Sequence, residues 1–95
     1  MIIETPYKAG DTITIKTTAG EEIVARMVEE NDKIVKIKKP LALMAHGQGV
    51  GLGPWVFTVS PESDMSINKS AVLMIAKTEK DMASQYTQST TGLTI

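Results

Sequence analysis

One histidine, two carboxylate pairs, a glycine alternation and a lysine run are the groupings in this 95-residue chain whose types and spacing could do chemistry. His46 is the single histidine. As a general base it would need an orienting partner and a nucleophile, and none is identifiable beside it. A loop histidine bonded locally is the expectation. Glu21-Glu22 and Glu29-Glu30 send neighbouring carboxylates to opposite strand faces, an arrangement that suits surface charge and edge protection better than acid–base catalysis. A metal centre would need more nitrogen ligands or a tight carboxylate set. With no cysteine, thiolate nucleophiles, thiolate metal sites and disulfides are excluded. The reading is no catalytic residue, no metal and no cofactor: not an enzyme.

Residues 46–54, HGQGVGLGP, place glycines at alternate positions. The segment lacks the Lys-Ser/Thr of a phosphate-binding P-loop and the GxGxxG of a dinucleotide site. It reads as a hairpin connection or a close backbone passage beside a symmetry mate, with a ligand-cradling loop as the alternative. Lys33, Lys36, Lys38 and Lys39 form a run without an acid, whereas residues 1–32 carry three basic and seven acidic side chains. The total of −1 argues against broad capture of nucleic acid. A solvated strand edge explains the run, and a phosphate-facing surface is the competing explanation. Single-strand binders join aromatic platforms to positive charge. Here Trp55 and Phe57 alternate inward, and Tyr7 and Tyr86 are remote from each other.

The elements that position these groups are mostly strands. TITIKTT (about 12–18) alternates Ile13 and Ile15 against Thr12, Thr14 and Lys16. Ala19-Gly20 is a turn. The second strand, about 22–29, has apolar residues on both faces, which predicts cover on both sides or a bend. Asn31-Asp32 is the next turn, and a half-buried strand follows at about 33–39. Pro40 allows one or two helical turns through PLALMAH. Equally, Leu41 and Leu43 continue the strand beyond a proline-marked bulge, an extension favoured because it would pair with WVFTVS at 55–60. That segment is predicted as a strand with Trp55, Phe57 and Val59 facing inward. PESDMSINKS reads as an exposed connection. AVLMIAK, 71–77, reads as a central strand or one buried between core and subunit interface, with Leu73 and Ile75 packing there. Thr78 caps a short helix at about 79–89, with Met82, Ala83 and Tyr86 on one side. Gly92 suits a stop before Leu93-Thr94-Ile95, and Ile2 and Ile3 precede Pro6 and Gly10 in an extended arm.

Ninety-five residues make one domain, 1–95, packed mainly by Ile, Val, Leu and Met. Self-association would help a core of that size. The amino terminus lacks a signal-peptide pattern and no apolar run is long enough to span a bilayer. The expectation is a soluble cytoplasmic protein with no membrane partner, in the host cytoplasm if the genome is viral.

Along ITIKTTAGEEIVARMVEENDKIVKI the chain resembles the Sm-like family. Gly20 matches that family's turn glycine, and Ala25 stands where a second glycine allows the bend. Asn31 falls at the Asp of the nucleotide-binding turn, with Asp32 next to it, and Val35 falls at that motif's Asn. Lys69-Ser70 stands where the second motif has Arg-Gly, which keeps the charge and loses the planar guanidinium. The resemblance spans about residues 11–77 and implies a strongly bent five-stranded antiparallel barrel, Sm-like or SH3-like, here followed by a C-terminal helix. It also implies a homo-oligomer, from a dimer to a six- or seven-membered ring. If RNA is the partner, Asn31 contacts a base edge, Lys69 a phosphate, and Asp32 and Ser70 shape the pocket. The chain also resembles uncharacterised products of tailed bacteriophages. The alternative is a structural or protein-interaction module, of viral or cellular origin, without a nucleic-acid role.

Overall fold

Alternation in TITIKT and EIVARMVEE builds the first two strands of the computed structural model, which describes residues 7–91, His46 in its backbone only. Strand β1 (Thr12–Thr17) pairs antiparallel with β2 (Glu22–Glu30), which pairs with the long β3 (Ile34–His46). Strand β4 (Gly49–Pro54) returns along the second half of β3, and β5 (Met65–Asn68) along its first half. A short 3₁₀ turn, Lys69–Ala71, leads into β6 (Val72–Lys77), which lies against β1, and helix α1 (Lys80–Thr90) follows. The protein is mostly β, an antiparallel six-stranded sheet with one short C-terminal helix among the described residues. Among the described residues the sheet path β4-β3-β2-β1-β6 does not close, so an open, six-stranded sheet stands in place of the expected five-stranded barrel. The expected N-terminal arm before Tyr7, and the Gly92 stop with Leu93-Thr94-Ile95, lie outside the described residues.

Three register shifts bend the sheet. Val28 is the extra residue between the Met27–Ile37 and Glu29–Lys36 pairs, and Lys39-Pro40 together oppose Ala25. Leu73 is the extra residue between Val72–Thr17 and Met74–Lys16. Each extra residue kinks its strand and increases local twist. At the second shift Lys39 adopts φ 53° and gives its N–H to the Pro61 carbonyl at 2.9 Å, while Pro40 has no N–H to give. Ala25, fully buried, faces this kink, where a small side chain leaves room for it.

Ile13, Ile15, Ile23, Ala25, Met27, Val35, Ile37 and Ile67 form the core. Each fully buried isoleucine stabilises the fold by about 1.5–3 kcal/mol. Val24 is also buried although its two neighbours are in the core, so β2 is covered on both faces, as its sequence predicts. Helix α1 supplies the buried Tyr86, whose hydroxyl reaches the Lys39 carbonyl at 2.7 Å and whose ring lies 5.6 Å from the Arg26 guanidinium carbon. Glu79, rather than Thr78, caps the helix, its carboxylate accepting from Met82 N at 2.6 Å and Asp81 N at 3.2 Å. Thr78 is drawn into the sheet instead, bonded to the Thr14 hydroxyl at 2.9 Å.

The middle of the chain departs most from expectation. The glycine stretch is itself strand β4, and its hairpin turn is only Gly47-Gln48. So short a turn closes cheaply and takes the β3 partner positions as far as Leu41–Pro54. Residues 55–60 are left without a ladder and are irregular. Phe57 is 82% exposed and Val59 43%, so neither enters the core, whereas Trp55 packs against it and donates its indole N–H to Glu21 at 3.1 Å. The expected exposed connection contains β5, which buries Ile67. Among the described residues AVLMIAK is an edge strand, not a central one: Leu73 stands in solvent while Ile75 packs against the core.

Candidate nucleic-acid interface

The β2–β3 turn is held by Asn31. Its Oδ1 accepts from Lys33 N at 2.8 Å and Ile34 N at 3.0 Å, and its own N–H donates to the Ile34 carbonyl at 3.0 Å. Asparagine suits this place because its short amide mimics a backbone turn. Both acceptor lone pairs of that oxygen are occupied, so the side chain retains two N–H donors for a ligand. Asn31, Asp32 and Lys33 are exposed.

Strand β5 carries the second motif to the same end of the sheet. Ile34 pairs with Asn68, and Lys69 N donates to the Lys33 carbonyl at 2.8 Å. The four residues singled out from sequence are therefore brought together as two adjacent turns, Asn31-Asp32 beside Lys69-Ser70. Ser70 is exposed. Lys69 is not free: its ammonium meets the Glu30 carboxylate at 2.7 Å, with side chains 33% and 28% exposed. The Tyr7 hydroxyl also interacts with this carboxylate. Burial pushes the Glu30 carboxyl up, but the bonds from Lys69 and Tyr7 outweigh it and hold the group below its ordinary value. Burial, then the Glu30 contact, push the Tyr7 hydroxyl up to about 12.

No family model matches the chain, and no curated protein is significantly similar to it. Tyr7 and Glu30 escaped the sequence reading. Glu30 looks like a solvated partner of Glu29, and nothing in the spacing ties Tyr7 to it.

Elsewhere the lysine run is neutralised in place. Lys36 meets Glu29 at 3.3 Å, Lys38 meets Asp64 at 3.7 Å, and Lys39 meets Glu62 at 3.4 Å. Lys33 alone of the run makes no ion pair with a described residue. The strand is thus a charge-compensated surface, and the ammonium groups at the Asn31 end are those of Lys33 and Lys69. A separate apolar cleft of about 230 Å³ lies between Pro40, Pro54, Val56, Pro61 and Thr90. Of the glycine stretch only Pro54 reaches it, so the glycines do not cradle a ligand there. Among the described residues no cluster of three His, Asp or Glu side chains could hold a metal ion. No described helix is long and apolar enough to cross a membrane.

Proposed function

We propose that this chain is a non-enzymatic, Sm-like module that assembles with copies of itself through its open strand edges. One observation carries the reading: β6 pairs only with β1 among the described residues, and it presents Leu73 (66% exposed) and Met74 (45% exposed) at that edge. Protected edges carry charge, proline or a short strand; β6 has six residues, no proline and a single lysine, Lys77. The far side of β3 ends in two further edges, β4 and β5. Pairing β6 of one subunit with such an edge of the next is heterologous, and it closes into a ring when the bend per subunit supplies the rotation. Sedimentation velocity tests this: a discrete oligomer is expected from the wild type, and Leu73→Lys with Met74→Lys is expected to yield folded monomer.

A second reading, that the assembly contacts single-stranded RNA, is favoured by the meeting of the Asn31-Asp32 turn with Lys69-Ser70. Asn31 would donate its amide N–H groups to a base edge, and Lys69 would meet a phosphate. A ring would repeat this end, with its Lys33 and Lys69 ammonium groups, several times and so multiply the contacts to one strand. Fluorescence anisotropy with a single-stranded oligoribonucleotide checks the site. The double substitution Asn31→Ala and Lys69→Ala should weaken binding, and equal affinity in the two proteins would remove the assignment.

A further inference from the structure

We propose that Glu30 is an internal competitor for phosphate, an autoinhibitory carboxylate that keeps Lys69 occupied until RNA displaces it. This rests on the RNA reading of the same end. The Lys69–Glu30 contact, at 2.7 Å, is the shortest ion pair among the described residues; the others span 3.3 to 3.9 Å. Both partners are preorganised. Lys69 opens the 3₁₀ turn and is pinned by its backbone bond to Lys33. Glu30 ends β2, and the Tyr7 hydroxyl interacts with its carboxylate as well. At 2.7 Å, with side chains only 33% and 28% exposed, the pair is closer and better shielded than an ordinary surface ion pair.

The arrangement is asymmetric in what it offers an incoming anion. Lys69 has three N–H donors and spends at least one on Glu30. A phosphodiester approaching that ammonium also approaches the Glu30 carboxylate and, on the neighbouring turn, the exposed Asp32. Lys33 is the opposing positive group there, while Lys36 is engaged with Glu29. Phosphate contact at Lys69 thus requires exchange of one anion for another rather than simple addition. The exchange makes binding depend on contacts that accompany the phosphate, such as a base edge at Asn31. A bare polyanion lacks them and is disfavoured.

Anisotropy titrations of wild type, Glu30→Gln, Glu29→Gln and the pair Glu30→Gln with Lys69→Met, over a series of salt concentrations, test the proposal. Glu30→Gln should bind the oligoribonucleotide roughly fivefold more tightly, the scale of one well-placed ion pair. Its log–log salt slope should steepen by about 0.7, one single-strand phosphate. Glu29→Gln makes the same charge change one residue away and should shift affinity less than about twofold. Adding Lys69→Met to Glu30→Gln should abolish the gain. A gain that survives without Lys69, or an equal gain in Glu29→Gln, would overturn the proposal in favour of a plain net-charge effect. RNA binding by wild type with no change in Glu30→Gln would overturn it and leave the RNA reading standing. Absence of binding in both proteins would overturn the two together.

Discussion

The Tyr86 hydroxyl donates to the Lys39 carbonyl at 2.7 Å, joining the C-terminal helix to the kink of the longest strand. Lys39 sits there at φ 53°, a conformation that costs a non-glycine residue about 1–2 kcal/mol. The helix bond and the Pro61 bond to Lys39 N therefore hold a backbone that would not otherwise choose this shape. Tyr86→Phe should cost about 1 kcal/mol and Tyr86→Ala about 3–5 kcal/mol in urea denaturation. A loss below a few tenths of a kcal/mol for the alanine variant would show that the helix does not brace the kink.

Alkaline pH should act through the same residue. Burial pushes the Tyr86 hydroxyl up from 10.0 to about 12, although Arg26 pulls in the opposite direction. A pKa raised on folding gives stability that is complete below the unfolded value and lost as pH rises through the folded one. Stability should accordingly fall between pH 10 and pH 12, with Tyr7 adding a parallel loss. The Tyr86→Phe protein should decline less steeply over that interval. Identical slopes in thermal melts at stepped pH would count against the assignment.

Asn31 has two separable roles, one in the turn and one toward a ligand. Asn31→Ala removes the acceptor for Lys33 N and Ile34 N and should cost about 1 kcal/mol. Asn31→Asp keeps an acceptor in place and should remain within about 0.5 kcal/mol of wild type, while losing both amide donors. Denaturation curves of the two variants, set beside their RNA titrations, separate shape from contact. Equal destabilisation would mean that the turn bonds are not what asparagine contributes.

Two glycines should respond differently to alanine. Gly20 lies at φ 98° in the β1–β2 turn, so a Cβ there is strained even with open space around it. Gly20→Ala should cost about 1–2 kcal/mol. At Gly53 a Cβ would meet Met44 Sδ at 2.8 Å and Cε at 2.9 Å, the far end of a flexible side chain that is 45% exposed. Met44 can swing aside, and Gly53→Ala should cost less than about 1 kcal/mol. Urea midpoints for the pair check the ranking.

The first three strands were legible because their alternation, Gly20 and Asn31 all point the same way. The double-sided burial of β2 marked the bend, and Pro40 marked the bulge within β3. Residues 49–60 were misread because composition favours the wrong half. Trp55 to Ser60 has strand propensity but pairs with no strand, whereas Gly49 to Pro54 has poor propensity and an adjacent partner in β3. Tertiary pairing overrides intrinsic preference there. The continuous apolar run of AVLMIAK suits a central strand or one buried between core and subunit interface; β6 is not central, and the bulge at Leu73 turns that side chain into solvent. The positions of Asn31, Asp32, Lys69 and Ser70 were reachable through motif outline. The Glu30 clamp on Lys69 was not, because only the pairing of β5 with β3 brings those charges together.

The edge of β6 is the feature on which the proposed assembly stands, and sedimentation velocity across a concentration series reads it most directly. The account predicts a single oligomeric species for the wild type, well above the 10.3 kDa subunit, and monomer for Leu73→Lys with Met74→Lys at unchanged circular dichroism. A wild type that stays at subunit mass at the highest concentration, or a double variant that assembles as well as wild type, would contradict it.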